Sequence, residues 1–442
     1  MKRLIVICIL LGLVLTAATA HAQNVDSSCL PVVSKTVSIA DAVDIALANN
    51  PTISSRKALV TAAGARVGMA RAMSRLTFST TTYATISSTS MVLAGPDTVQ
   101  PQNLSLVPDK ARLNQNFMLM FPLYTGGTIK GRINSARSLE NAAISEAAST
   151  ELDVALTVKT GYNQILLAKK IVEAYTHRVN EATERVRIAE SAFKEGRIAK
   201  YDLLRNQTEL AEAQQQLNNA QKDLDIALID IKNTMGISQS SQLELCQSAA
   251  SQEPIPDLQE LSNKAVGQRP EVAAMRARVR SAQAVVDVAK GTYKPQVYAT
   301  AMQDVGTIRD DGFDQGYLVG IAAALPILDG GLRKSSVAEA QAMLQEAKAD
   351  ERDAVLTVNR DVASALTQLN AAAKNVDLAN AAVDQANEDY RVIKMRYESG
   401  KTVNVEVLDA LAALTRAKTN SADALYQYNV ARDTLTRAIG QR

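Results

Sequence analysis

Few residues in this chain of 442 are of a type that does chemistry. It has two histidines, His21 and His177, and three cysteines, Cys8, Cys29 and Cys246. Cys8 and His21 fall in an N-terminal segment expected to be removed. One histidine and two thiols would remain, which argues against a His-based zinc site or a four-thiolate cluster. His177 stands beside Arg178 in a polar stretch and reads as a solvated surface residue. Gly126-Gly127 and Gly330-Gly331 could suggest a phosphate cradle, but neither belongs to a P-loop or dinucleotide pattern. A strand-to-helix hinge explains them better. No nucleophile, base and orienting acid form a constellation, so the chain reads as no enzyme and calls for no cofactor. Glu406 and Asp409 stand three apart at the start of a helix, where the macrodipole favours carboxylates.

The elements that carry these residues follow from composition and period. Apolar residues make up 47% of the chain, but aromatics only 4%, so the excess is Ala, Val and Leu, a helix-rich diet. Lys2 and Arg3 precede the apolar run Leu4 to Leu15, and Ala20-His21-Ala22 ends it with small residues where a signal peptidase reads. Residues 1–22 therefore read as a secretory signal with cleavage before Gln23. Removing Lys2 and Arg3 from the 48 basic residues balances the 46 acids, so nothing global points to nucleic acid. Export to an oxidising compartment permits a Cys29–Cys246 bridge, with two separate thiols as the alternative. No later run is apolar enough for a membrane helix. The exported chain is thus either soluble or enters lipid as strands, which can satisfy their own backbone there.

The chain repeats itself. Phe121-Pro122-Leu123-Tyr124-Thr125-Gly126-Gly127 resembles Leu325-Pro326-Ile327-Leu328-Asp329-Gly330-Gly331, 204 residues later. Gly196 maps to Gly400 at the same displacement, and Asn50-Pro51 matches Arg269-Pro270. The first copy carries extra residues between Tyr83 and Pro122, which places a long loop over Val92 to Ala111. Each copy reads helix, helix, strand, loop, strand, long helix, turn, helix. The long helices, about 131–194 and 335–398, show apolar seams stepping by three and four, from Val154 through Phe193 and from Val355 through Tyr397. Tyr390 and Tyr397 continue the second seam and read as packing residues. A helix of that length spans ~96 Å, and two shorter helices stacked end to end match it. The result is a tall helical wall rather than a globule.

Four strands are expected near 77–91, 112–125, 293–305 and 316–328. Leu113, Gln115, Phe117, Leu119, Phe121 and Leu123 alternate along the second, and Tyr317, Val319, Ile321, Ala323, Leu325 and Ile327 along the fourth. Each is long enough for a tilted membrane strand. Four strands cannot close a membrane barrel, which needs about eight. Either they form a soluble sheet or several chains share one barrel, and the coiled-coil wall favours sharing.

With these features the chain resembles the TolC family of outer-membrane efflux proteins over nearly its whole mature length. The specific marks are the two-copy layout, the Pro-x-x-x-Gly-Gly junctions at Pro122 and Pro326, and the run Arg396-Tyr397-Glu398-Ser399-Gly400-Lys401-Thr402-Val403 leading into Val405-Glu406-Val407-Leu408-Asp409-Ala410. The resemblance implies a mostly α-helical α+β membrane protein. Three chains would share a 12-stranded outer-membrane barrel, set in outer-membrane lipid and continuous with a periplasmic α-helical coiled-coil barrel. It implies two repeats, 23–236 and 269–442, joined by an equatorial connection over 237–268, with loops 92–111 and 305–316 outside the cell. It further implies a passive duct for efflux or type I secretion. A periplasmic adaptor (membrane fusion protein) would dock at the tips around Gly196, Arg197, Gly400 and Lys401, and an inner-membrane transporter of RND, ABC or MFS type would drive export. Glu406 and Asp409 match acids that ring the pore constriction. Tyr397 matches a latch tyrosine. The family's latch arginine is replaced by Thr402, with Lys401 adjacent. The alternatives are a periplasmic coiled-coil adaptor, which flanks one hairpin with β-domains, and a structural coiled-coil protein, which needs no matched strands.

Overall fold

A computed structural model describes residues 34–87, 91–93, 104–106, 110–246, 257–308 and 312–442. Local chemistry sets the element boundaries. Helix α1 (Ile39–Asn49) opens on a capping box, in which Ser38 and Asp41 each accept the other's backbone N–H, at 3.2 and 3.0 Å. Pro51 cannot continue that helix and starts α2 (Pro51–Ala72) instead, while the Asn50 side chain accepts from Thr52 N at 2.8 Å. In the second copy Pro270 likewise separates α5 (Leu258–Gln268) from α6 (Pro270–Gly291).

The long helices are α3 (Thr128–Lys194) and α7 (Leu332–Glu398), each of 67 residues. Both start three residues earlier than the expected bounds, 131 and 335. The reason is the glycine pair ahead of each: Gly127 and Gly331 take φ of 92° and 93°, and the helix begins at once. Gly126 is also sterically required, since a Cβ there would stand 2.4 Å from the Gly291 carbonyl oxygen. The returning helices are α4 (Lys200–Met235) and α8 (Asn404–Ala438). Helices α2 and α4 accompany α3 along different parts of its length, and α6 and α8 lie between α3 and α7 in the same way.

The strands β2 (Thr77–Ser87), β5 (Lys110–Tyr124), β7 (Gln296–Ile308) and β8 (Gly312–Ala324) form one antiparallel sheet in the order β2-β5-β7-β8. Two of the expected spans, 293–305 and 316–328, are shifted. Tyr293 and Lys294 close a turn onto the end of α6, and Pro295 donates no hydrogen bond, so β7 begins at Gln296. Pro326 likewise lies beyond β8, which starts earlier, at Gly312. The connection expected over 305–316 therefore shrinks to residues 309–311, outside the described residues. The span 77–91 divides: β2 stops at Ser87, and Met91 opens β3 (Met91–Leu93), which pairs with β4 (Leu104–Leu106). The long loop expected over 92–111 thus carries a short ribbon. No helix lies along either face of the four-stranded sheet among the described residues.

Strand β1 (Ser34–Val37) pairs in parallel with β6 (Gln242–Leu245), which lies in the connection expected over 237–268. Tyr162 of α3 is fully buried beneath them, and its hydroxyl lies 2.6 Å from the Cys246 carbonyl oxygen and 3.1 Å from that of Val37. Around it pack Val37, Val43, Val158, Ile165, Ile231 and Met235. The second copy builds its own core from Leu261, Val272, Val358, Val362, Leu369 and Leu435.

An ionic knot joins the copies where α6 gives way to α8. Arg269, 7% exposed, pairs with Asp361 at 3.0 Å and Glu271 at 3.3 Å. Arg437 of α8 reaches Glu271 and, at 2.7 Å, Asp153 of α3. Ser149 donates to Glu271 at 2.9 Å. Burial pushes the Glu271 carboxyl up, but its backbone bond and the two guanidiniums outweigh this and hold it at about 2. A depressed carboxylate contributes stability that is present above its ordinary value near 4.5 and lost as pH falls toward 2. Glu271→Gln is expected to cost about 2 kcal/mol at neutral pH and to flatten the acid limb. Thermal unfolding followed by circular dichroism between pH 7 and pH 2 checks both; equal acid limbs would remove the knot from the account.

Candidate functional site at the hairpin tips

Both hairpins turn in the same way. At the end of α3, Gly196 takes φ 70°, its N–H bonds Phe193 O at 3.0 Å, and Arg197 N–H bonds Ala192 O at 2.8 Å. At the end of α7, Gly400 takes φ 71°, with bonds to Tyr397 O at 2.9 Å and from Lys401 N–H to Arg396 O at 2.8 Å. Each is a Schellman turn, in which a left-handed residue closes the last carbonyls of the helix. Nothing stands within 4 Å of a Cβ built at either glycine, so conformation alone demands them. Arg197 and Lys401 are exposed beside their turns, and Arg197 pairs with Glu195 at 2.5 Å.

Helix α8 then presents two faces. Val407, Ala410, Leu411 and Leu414 are buried against Tyr390 of α7, with Tyr397 and Ile393 partly buried beside them. Glu406 and Asp409 are exposed and sit one turn apart on the opposite side. Thr402 donates its hydroxyl hydrogen to Glu406 Oε2. Tyr397 therefore belongs to the apolar cluster inside its own hairpin, and Thr402, in the turn, holds an acid on the helix that follows it. Cys246 is an exposed free thiol after β6; Cys29 lies outside the described residues.

The side chains that join the two hairpins were not singled out by sequence. Tyr390, read there as packing, donates to Glu181 Oε2 of α3 at 2.6 Å and accepts from Arg185 Nη2 at 3.1 Å. Lys394 approaches the same Glu181 oxygen at 3.1 Å. The Lys394 ammonium and the Arg185 guanidinium lie 5.8 and 5.9 Å from the Tyr390 ring centre. Burial pushes Glu181 up, yet the bonds donated by Tyr390 and Lys394 prevail and hold it below the usual carboxylate range. Lys394 is held above its ordinary value, since Glu181 outweighs its own burial. Nearer the tip, Asn404 Nδ2 donates to Asn206 Oδ1 at 3.2 Å, again across the copies. The only hint in the sequence is a tyrosine on a seam otherwise rich in Ala and Val; its partner lies 209 residues away.

Among the described residues no group of three or more His, Cys, Asp or Glu could hold a metal ion, and no helix is long and apolar enough to cross a membrane. What remains is a sheet with an uncovered apolar face above a helical wall with a clasped end. Known proteins share this arrangement. Residues 42–237 and 261–441 match the profile of the family described as outer membrane efflux protein. The cobalt-zinc-cadmium resistance protein CzcC of Cupriavidus metallidurans is 25% identical over 77% of this chain and 81% of its own length. CyaE of Bordetella pertussis is 23% identical over 85% of this chain and 78% of its own. Among solved structures, VceC of Vibrio cholerae superposes with a TM-score of 0.74 at 17% identity, covering 91% of this chain and 96% of that one. A membrane protein of Pseudomonas aeruginosa gives 0.76 at 20%, covering 91% and 93%. These likenesses displace the readings as an adaptor or a structural coiled coil. The chain belongs to the outer membrane efflux protein family, passive outer-membrane ducts that reach into the periplasm and work with an adaptor and an inner-membrane transporter.

Proposed function

We propose that three copies of this chain close a 12-stranded barrel and hang a gated helical tube beneath it. The observation that carries this is the sheet, which is open along β2 and β8. On one face of β8, Tyr317, Val319 and Ile321 are 87%, 76% and 71% exposed. In water such a face is an aggregation site. In lipid it is the outer surface of a barrel, provided that neighbouring copies pair the edges.

The gate in this reading lies at the clasp. Glu181, Arg185, Tyr390 and Lys394 hold the second hairpin against the first, and the turns at Gly196-Arg197 and Gly400-Lys401 offer exposed backbone and cations to the adaptor. Glu406 and Asp409, repeated by threefold symmetry, would line the throat with two rings of carboxylates that attract cations. Tyr397, Lys401 and Thr402 support the throat from within their own hairpin rather than bridging to the other. The transporter above which the tube sits is of the RND, ABC or MFS type, and the choice of cargo rests with it. CzcC, by its name, serves resistance to cobalt, zinc and cadmium.

Extraction from outer membranes only with detergent, and a threefold mass in native mass spectrometry, are the expected outcomes for assembly; a water-soluble monomer after export would refute it. For the throat, Glu406→Ala with Asp409→Ala should lower cation selectivity in a planar bilayer, and an unchanged reversal potential would remove these acids from the pore. For the clasp, Glu181→Gln with Tyr390→Phe removes partly buried charge-assisted bonds, each of about 1–2 kcal/mol. The open fraction of single channels should rise by about tenfold. The same rise should appear in the parent as pH drops through the depressed Glu181 value, because protonation discharges the carboxylate. Traces that match the parent at every pH would exclude the clasp.

A further inference from the structure

The two faces of the sheet differ in chemistry. Register places Phe78, Leu119, Ala301 and Val319 in one row of the apolar face. The opposite face is formed largely of small and polar residues, among them Thr81, Asn114, Asn116, Thr300 and Gly320. Three methionines interrupt it. Met118 of β5 is the direct register partner of Met302 of β7. Met120 lies two residues along β5, so its side chain points to the same side. Direct partners on one face hold their Cβ atoms about 5 Å apart, and flexible thioether side chains converge readily across such a gap. All three methionines are half-buried although no helix covers this face, whereas Leu318, in the same row as Met302, is 52% exposed.

A negative charge stands next to them. Asp304 follows Met302 by two residues on the same face, and its Oδ1 is buried with no hydrogen-bond partner among the described residues. A buried carboxylate oxygen without a donor calls for a cation. Thioethers are soft, uncharged and never protonated, and they select Cu(I) over Mg(II), Ca(II) or Mn(II).

We propose that Met118, Met120 and Met302, with the Asp304 carboxylate as counter-charge, form a binding site for a soft monovalent metal cation, Cu(I) or Ag(I). Its position on the inner wall of the duct rests on the shared-barrel reading above; the site itself rests on the register of one chain. Three copies would place a belt of such sites around the lumen, where an exported soft cation is held weakly on its way out.

The test uses the full chain purified in detergent, with Cys29→Ser and Cys246→Ser because thiols bind Ag(I) on their own. Ag(I) is titrated by calorimetry, and native mass spectrometry of the same samples reports the assembly. Expected is about one Ag(I) per chain, with affinity at least about tenfold weaker in Met118→Leu with Met302→Leu. Met69→Leu and Met343→Leu, both at exposed helix positions, should bind as the parent does. Equal Ag(I) binding by the double variant and the parent overturns the proposal. If the double variant does not assemble, X-ray absorption on the Ag(I)-loaded Cys-free parent decides: sulfur neighbours support the site, and oxygen or nitrogen neighbours alone refute it. Methionine-dependent binding to a monomer would keep the site and sink the shared barrel, while a trimer without it would do the reverse.

Discussion

The unpaired backbone along β2 and β8 is the constraint to which the rest of the molecule answers. In hydrocarbon each free N–H or C=O costs several kcal/mol, and a four-stranded sheet has two such edges. Apolar residues on one face forbid water as an alternative home. Only strands from sister chains satisfy both demands. Once strands are shared, the helices beneath must also face neighbours. That is why long seams rich in Ala, such as Ala365, Ala372, Ala379 and Ala386 on α7, replace the bulky core of a globule.

The two copies share backbone far more closely than chemistry. Their junction glycines and tip turns repeat to within a few degrees. The clasp does not repeat. Two hundred and four residues after Glu181 and Arg185 stand Gln385 and Asp389; before Tyr390 and Lys394 stand Val186 and Glu190. Only the actual pairing brings a carboxylate, a phenol and two cations together. The hairpins therefore have unlike parts to play, although the chain folds them by one recipe. The ionic knot of Arg269, Glu271, Asp361, Arg437 and Asp153 joins the copies at the end of α8 away from its tip.

Much of this was legible in the sequence because the signals were local. Proline before a helix, paired glycines after a strand and a seam of period 3.5 need no knowledge of distant partners. Strand limits were less legible, since alternation continues through Leu325 and Ile327 although Pro326 stands between them. The clasp was hidden for a different reason. Tyr390 sits in the right place for packing, and nothing near it in sequence reveals that Glu181 waits at the end of its hydroxyl. The methionine row was equally silent, because Met118 and Met302 become neighbours only once β5 and β7 are in register.

Helix α7 contains neither glycine nor proline from Leu332 to Glu398, so it offers no built-in joint, and its partner α3 has the same 67 residues. Together they act as a ruler. The gap that the tube can bridge between two membranes is written as a residue count, and an insertion in one leg alone would leave the pair unequal. Change in reach must therefore come to both copies at once, in whole heptads.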